Sequence, residues 1–132
     1  MVVTLNVASK NIARILIDTR SSVDILYKDA LDRLGLTPIK LQPLQTPLYG
    51  FAGNIIIPLG MITLPITIGE EPSQTTTMVD LVIIDYPGAY NMILGRPFLF
   101  NTNDVVSMYY LAMKFPMGGR IRIVKGDQHA TR

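Results

Sequence analysis

The sequence predicts an all-β fold with one main helix and one short helix in its C-terminal half. Three observations point there. Most apolar residues fall in short β-prone runs punctuated by Gly, Pro, Asn and Ser. One stretch, Val23 to Leu34, has a helical period, with apolar residues at 23, 26, 27, 30, 31 and 34. The run Ile15-Leu16-Ile17 leads straight into Asp18-Thr19-Arg20-Ser21-Ser22. A carboxylate at the end of a buried strand is costly to ionise unless hydrogen bonds or a partner stabilise it, so this turn is the first candidate for chemistry.

The elements follow in order. Val2 to Val7 alternates as a strand, Ala8-Ser9-Lys10-Asn11 reads as a hairpin turn, and Ile12 to Ile17 as the returning strand. Ser21 or Ser22 is suited to cap a helix over Val23 to Leu34, because a Ser oxygen accepts free first-turn amides. Gly35 stands where a C-terminal glycine belongs, and Pro38 prevents resumption. The Pro-rich stretch Thr37 to Leu48 is extended. Leu44 to Leu48 and Ile55 to Leu59 are expected to pair as a hairpin around Tyr49-Gly50-Phe51-Ala52-Gly53-Asn54, whose glycines free the backbone for positive φ and close approach. That hairpin reads either as an ordinary tip or as a flap over a substrate. Met61 to Ile68 and Thr75 to Ile84 are strands separated by the polar turn at Gly69 to Ser73, and Asp85 to Ala89 is a loop. Tyr90 to Leu94 is an apolar strand ending in Gly95, and the short helix starts with Pro97 in its first turn. Val105 to Phe115 and Arg120 to Val124 give the last strands, around Pro116-Met117-Gly118-Gly119.

Bulk properties bound the function. At 132 residues, without internal repeats or a long linker, the chain is expected to form one domain over 1–132, with its core at about 3–128. The apolar share of 48% suffices for a core. The longest apolar stretch, Ile55 to Ile68, is cut by Pro58, Gly60 and Pro65 and falls short of the roughly 20 residues a membrane helix needs. No basic segment followed by an apolar run opens the chain, and there is no cysteine. An intracellular setting is therefore expected, and disulfides, thiol catalysis and Cys-based zinc sites are excluded. His129 stands alone, so no metal site is expected there. The net charge of +2 is too small to imply a nucleic-acid partner. The five basic residues between Lys114 and Arg132, against Asp127 alone, read as a solvated tail or as a transient contact with RNA or flanking chain. A small β-barrel binding nucleic acid through that end draws little support, since few strands show exposed aromatic residues.

Two motifs carry a family resemblance. Apolar-apolar-Asp18-Thr19 followed by Ser21-Ser22 resembles the active-site turn of aspartic proteases, and Ile93-Leu94-Gly95-Arg96 resembles the second signature of retropepsins. With Gly50-Phe51-Ala52-Gly53 between them, and with Tyr110 to Pro116 and Val124 to Gln128 behind, the chain is similar to the retropepsin domain of plant gypsy-type LTR retrotransposon polyproteins from about Val3 to Gln128. One residue departs from the pattern: Arg20 stands where that family has Gly.

The resemblance implies a small closed barrel of the retropepsin-like acid protease type. It implies Asp18 as the catalytic residue, Thr19, Arg20 and Ser21 as the active-site turn, and Gly50, Phe51, Ala52 and Gly53 as the flap that binds substrate. Ile93, Leu94, Gly95, Arg96 and Asp24 are expected as structural support, with Gly95 allowing two segments to cross closely. No cofactor, metal or membrane is implied. The partners would be a second copy of the chain and a peptide or polyprotein substrate, in the cytoplasm or a virus-like particle. Acid-pair hydrolysis needs two carboxylates sharing one proton. Asp18 is the one acid set in an Asp-Thr turn, so an active enzyme would be a homodimer. Arg20 adds bulk and a fixed cation beside Asp18 and is expected to impair activity. The alternative is an inactive pseudoprotease serving as a dimerisation or peptide-binding module. Asp24 and Arg96 are expected either to form a buried or half-buried ion pair or to face solvent separately, the pair predicting a greater stability loss from Arg96→Ala than from Arg33→Ala.

Overall fold

The computed structural model of the chain describes residues 1–36, 39–44, 47–49, 55–69, 74–102, 105–107, 112–117 and 120–125; at 49, at 101–102 and beyond, the description is of the backbone. Strands β1 (Val2–Val7) and β2 (Lys10–Ile17) form the expected hairpin. Its turn places Ala8 and Ser9 at φ 49° and 71°, the primed geometry that matches the twist of two adjoining strands. The register shifts between Val3, opposite Ile15, and Leu5, opposite Ile12, so β2 carries an extra residue as a bulge. Arg14 sits in that bulge at φ 57°.

The predicted helix over Val23 to Leu34 is shorter than its periodicity suggests. Ile25–Tyr27 is instead a strand, β3, and the helix α1 spans Lys28–Arg33. Ile25, Leu26 and Tyr27 are β-formers, and a slot between two further strands lets them join the ladder, which outweighs their local helical spacing. The apolar stripe still does its work, since Leu26, Ala30, Leu31 and Leu34 are all buried. No side chain caps α1; Tyr27 stands at its N-cap, and the Ser21 hydroxyl is engaged elsewhere. At its other end Gly35 has φ +67°, the left-handed conformation that closes a helix with least strain when no Cβ is present.

The hairpin of β4 (Leu48–Tyr49) and β5 (Ile55–Ile56) pairs Leu48 with Ile56 and Tyr49 with Ile55. The expected flap residues Gly50, Phe51, Ala52 and Gly53 lie outside the described residues. Strands β6 (Gly60–Ile68) and β7 (Thr75–Ile84) form the longest antiparallel pair, and β8 (Met92–Leu94) follows. Helix α2 (Arg96–Thr102) then begins with Pro97 in its first turn, a position whose N–H has no partner within the helix. Finally β9 (Val105–Ser107), β10 (Ala112–Met117) and β11 (Arg120–Lys125) form a sheet in the order β11-β10-β9.

Six strands close into a barrel in the order β1-β2-β8-β3-β7-β6, with β6 returning to β1 through Asn6–Thr67 and Val7–Ile66. The expected small closed barrel is thus present. Its interior is filled by Val3, Leu5, Ile15, Leu26, Ile66, Leu81, Ile83, Met92 and Leu94, capped by Phe98 from α2. Burying each such side chain is worth roughly 1.5–3 kcal/mol relative to exposure. All three residues of β8 are buried, as suits a strand that is parallel to β2 on one side and antiparallel to β3 on the other. Among the described residues no helix is long and apolar enough to cross a membrane.

Candidate active site

The site is built where β2 and β8 end together. Their parallel pairing runs Ile15–Met92, Leu16–Ile93 and Ile17–Leu94, and the Asp18 amide extends it by donating to the Leu94 carbonyl at 2.9 Å. There the two chains part. The β2 chain turns, closed by the Ser21 amide donating to the Asp18 carbonyl at 3.1 Å, while Gly95 leads into α2. Asp18 is half-buried, and its Oδ1 accepts the Arg20 amide at 2.9 Å. An Asp side chain bonding the backbone two residues on is the usual way such a turn stabilises itself. The carboxylate is thereby oriented from within its own turn.

The turn is next pinned to the second motif. The Arg96 amide donates to the Ser21 carbonyl at 2.9 Å. Ser21 Oγ donates to the Val23 carbonyl at 2.6 Å, a local bond that fixes the exit from the turn. Between these contacts lies Gly95. A Cβ there would stand 2.5 Å from the Ser21 oxygen and 2.8 Å from both Ser21 Cβ and the Val23 oxygen. The residue is therefore glycine because two backbones cross at that point, and no side chain fits between them.

Asp24 answers a separate expectation. It does not pair with Arg96, whose side chain is exposed; the salt bridge among the described residues is Lys28–Asp32, at 2.9 Å. Asp24 is 3% exposed, and its Oδ1 accepts the Gly95 amide at 2.7 Å. The Phe98 amide also serves it. The carboxylate thus caps α2 from the start of the neighbouring strand β3, satisfying amides at the helix start that a helix leaves free. Pairing would require the Arg96 guanidinium to be buried beside the carboxylate, whereas the amides already reach it there, and the ion-pair alternative is not the one adopted. Burial pushes the Asp24 carboxyl up to about 6, with the two amides opposing that rise and the like charge of Asp80 adding to it.

Thr19 and Arg20 are both exposed. Arg20 forms no ion pair with Asp18 within the chain. The non-glycine residues with positive φ among those described are Ala8, Ser9 and Arg14, so the backbone at Arg20 is one that any residue adopts. Ile93 and Leu94 are buried in β8, where Leu94 supplies the carbonyl that holds Asp18. No group of three or more His, Cys, Asp or Glu side chains that could hold a metal occurs among the described residues.

Two features escaped the sequence reading. One is the amide cap by Asp24, whose sole signal was an acid bordered by apolar residues on both sides. The other is Asn91, just before β8, which joins three elements. Its Nδ2 donates to the Ala13 carbonyl at 2.7 Å, its amide to the Arg14 carbonyl at 3.0 Å, and its own carbonyl accepts the Tyr27 amide at 3.1 Å. Its Oδ1 accepts from Arg33 of α1. Arg14 donates from Nε to the Ala89 carbonyl at 2.9 Å, bracing the same junction.

No protein-family model matches the sequence, and comparison with curated proteins gives no match. Solved structures do match. The retroviral protease-like domain of Ddi1 from Leishmania major superposes with a TM-score of 0.64 at 13% identity, covering 94% of this chain and 92% of that one. EIAV protease, solved with the inhibitor HBY-793, gives a TM-score of 0.59 at 19% identity, covering 82% of this chain and 92% of that one. The barrel with two small helices is therefore the retropepsin-like protease fold.

Proposed function

We propose that this chain is half of an aspartic endopeptidase: the retropepsin domain of a plant-like, gypsy-type LTR retrotransposon polyprotein, acting on that polyprotein as a homodimer and impaired by Arg20. The observation that carries this reading is the place of Asp18, in a self-bonded turn at the end of a barrel strand and tied to the crossing at Gly95. Two copies related by a twofold axis between their Asp18 residues would bring two carboxylates to one water. Like charges that close do not both ionise cheaply, so the pair holds one proton. The ionised acid takes a proton from the attacking water while the protonated one polarises the scissile carbonyl. Thr19 would bond the opposite loop across the axis. The substrate would lie extended beneath the hairpin carrying Gly50 to Gly53, held by backbone bonds as an added strand. The setting would be the cytoplasm or a virus-like particle.

The exposed guanidinium of Arg20 sets the limit on this chemistry. In the dimer two cations would stand near two carboxylates, favouring the doubly ionised pair and removing the shared proton. The same observation favours a second reading, a pseudoprotease that dimerises or binds peptide. Because the backbone at Arg20 is unstrained, Arg20→Gly should leave the fold intact and change the chemistry alone. The test compares pepstatin-sensitive peptide cleavage by the unaltered chain and by Arg20→Gly, with Asp18→Asn as the inactive control. The glycine variant is expected to cleave at least about tenfold faster, a barrier change of about 1.4 kcal/mol. Equal pepstatin-sensitive turnover by both would remove the impairment. No turnover by either, with a dimer seen by sedimentation, would favour the binding module.

A further inference from the structure

The Asp24 carboxylate does more than fill a helix cap, because of where its two bonded elements lie. It is buried, and it reaches across from the strand that leaves the Asp18 turn to the amides of Gly95 and Phe98. The same short stretch is bonded to that turn twice more, through Leu94 to the Asp18 amide and through Arg96 to the Ser21 carbonyl. Asp18, Ser21, Asp24 and the 94–98 segment therefore form one closed ring of hydrogen bonds, and the Gly95 crossing leaves no free space within it. A ring without slack passes on a change at any member.

We propose that Asp24 is a positioning residue for Asp18: its buried carboxylate clasps the turn to the first turn of α2, and its charge is felt at the turn through the shared 94–98 segment. This deepens the protease reading by naming what holds the candidate catalytic acid in place, and the clasp itself exists in the single chain whether or not the chain cleaves peptides. Ionised, the carboxylate draws the Gly95 and Phe98 amides strongly; neutral, it accepts from them more weakly. The other groups around it do not compete for those bonds. Asp80 of β7 acts as a like charge, β8 carries no ionisable residue, Tyr27 of β3 is neutral across this range, and Arg96 of α2 points to solvent. Burial places the ionisation near pH 6, well above that of an ordinary aspartate, so it can be told apart from others.

The experiment is an amide-resolved NMR titration of the Asp18→Asn variant, in which the turn's own carboxylate has been removed. The Gly95 and Phe98 amides are expected to shift with one midpoint near pH 6, and the amides of residues 18 and 21 to move with that same midpoint. Adding Asp24→Asn, which keeps an acceptor oxygen for Gly95, should abolish the shared midpoint while the spectrum stays folded. Gly95 and Phe98 titrating while residues 18 and 21 stay flat would overturn the proposal, leaving Asp24 as a helix cap alone. Movement at 18 and 21 that survives Asp24→Asn would overturn it too. Should the doubly substituted chain fail to fold, the Asp18→Asn titration decides by itself. Since nothing is cleaved in these measurements, they stand or fall separately from the protease assay.

Discussion

The parallel pair of β2 and β8 is fastened at both ends, and the two fastenings are made differently. At the end nearer Asp18, the bonds go to a buried carboxylate and to backbone groups crossing at a glycine. At the opposite end, Asn91 and Arg14 bind the bulge in β2 and the loop before β8 through side chains at the surface. Both ends hold the same two strands in register. The buried end gains rigidity at the cost of having no alternative partners, since a group shielded from water finds no substitute when its partner is lost. The exposed end can exchange a lost bond for water. A candidate catalytic acid is thus carried at the end that tolerates least change.

That contrast can be broken most severely at Gly95. Gly95→Ala sets a Cβ within 2.5 Å of the Ser21 oxygen, which is backbone and has nowhere to go. The expected loss is roughly 3 kcal/mol or more, read as a drop of about 10 °C or more in thermal midpoint. A drop of only a degree or two would mean that the crossing is looser than the structure has it.

Asp24 comes next. Asp24→Ala leaves the Gly95 and Phe98 amides buried without an acceptor and is expected to cost about 2–3 kcal/mol near pH 4, where the native carboxyl is protonated, and less as pH rises, whereas Asp24→Asn should recover much of the loss at pH 4. The pH dependence has a definite sign. The folded carboxyl titrates near 6 and the unfolded one near the ordinary 3.8, so the folded state holds the extra proton between them. Stability from this group is full below about pH 4, falls as pH rises through 6, and is level above that. The wild-type protein should therefore lose about 2–3 kcal/mol relative to Asp24→Asn between pH 4 and 7. Chemical denaturation of both proteins across that range measures it; parallel curves would show that burial does not hold the proton.

The smallest effects belong to the exposed end. Asn91→Ala removes the side-chain bonds to Ala13 and Arg33 and is expected to cost about 1 kcal/mol, visible in the denaturation midpoint. Arg33→Ala should lower stability by a few tenths of a kcal/mol and Arg96→Ala by less, because Arg33 has a partner in Asn91 while the Arg96 side chain is in solvent. This order is the reverse of the one expected from an Asp24–Arg96 ion pair. Arg96→Ala proving the more costly would restore that pair.

Local chemistry made much of this legible in advance. The alternation of β1 and β2, the long runs of β6 and β7, the glycine closing α1 and the proline opening α2 are each settled by neighbours in the chain, and each stands where the sequence places it. The turn at Asp18 stood out because a carboxylate ends an apolar strand there, and the Ile93-Leu94-Gly95-Arg96 stretch stood out only through its resemblance to a second family signature. What the sequence by itself determined is therefore the β-rich class and the places along the chain of most strands and of both helices, and it named the two segments proposed to form the site. Tertiary structure alone decided that Ile25 to Tyr27 would be a strand, since only the slot between β7 and β8 overrides their helical period. It alone also decided that Asp24 would take backbone amides in place of a guanidinium, because the competing donors are remote in sequence and meet the carboxylate only once the barrel has closed.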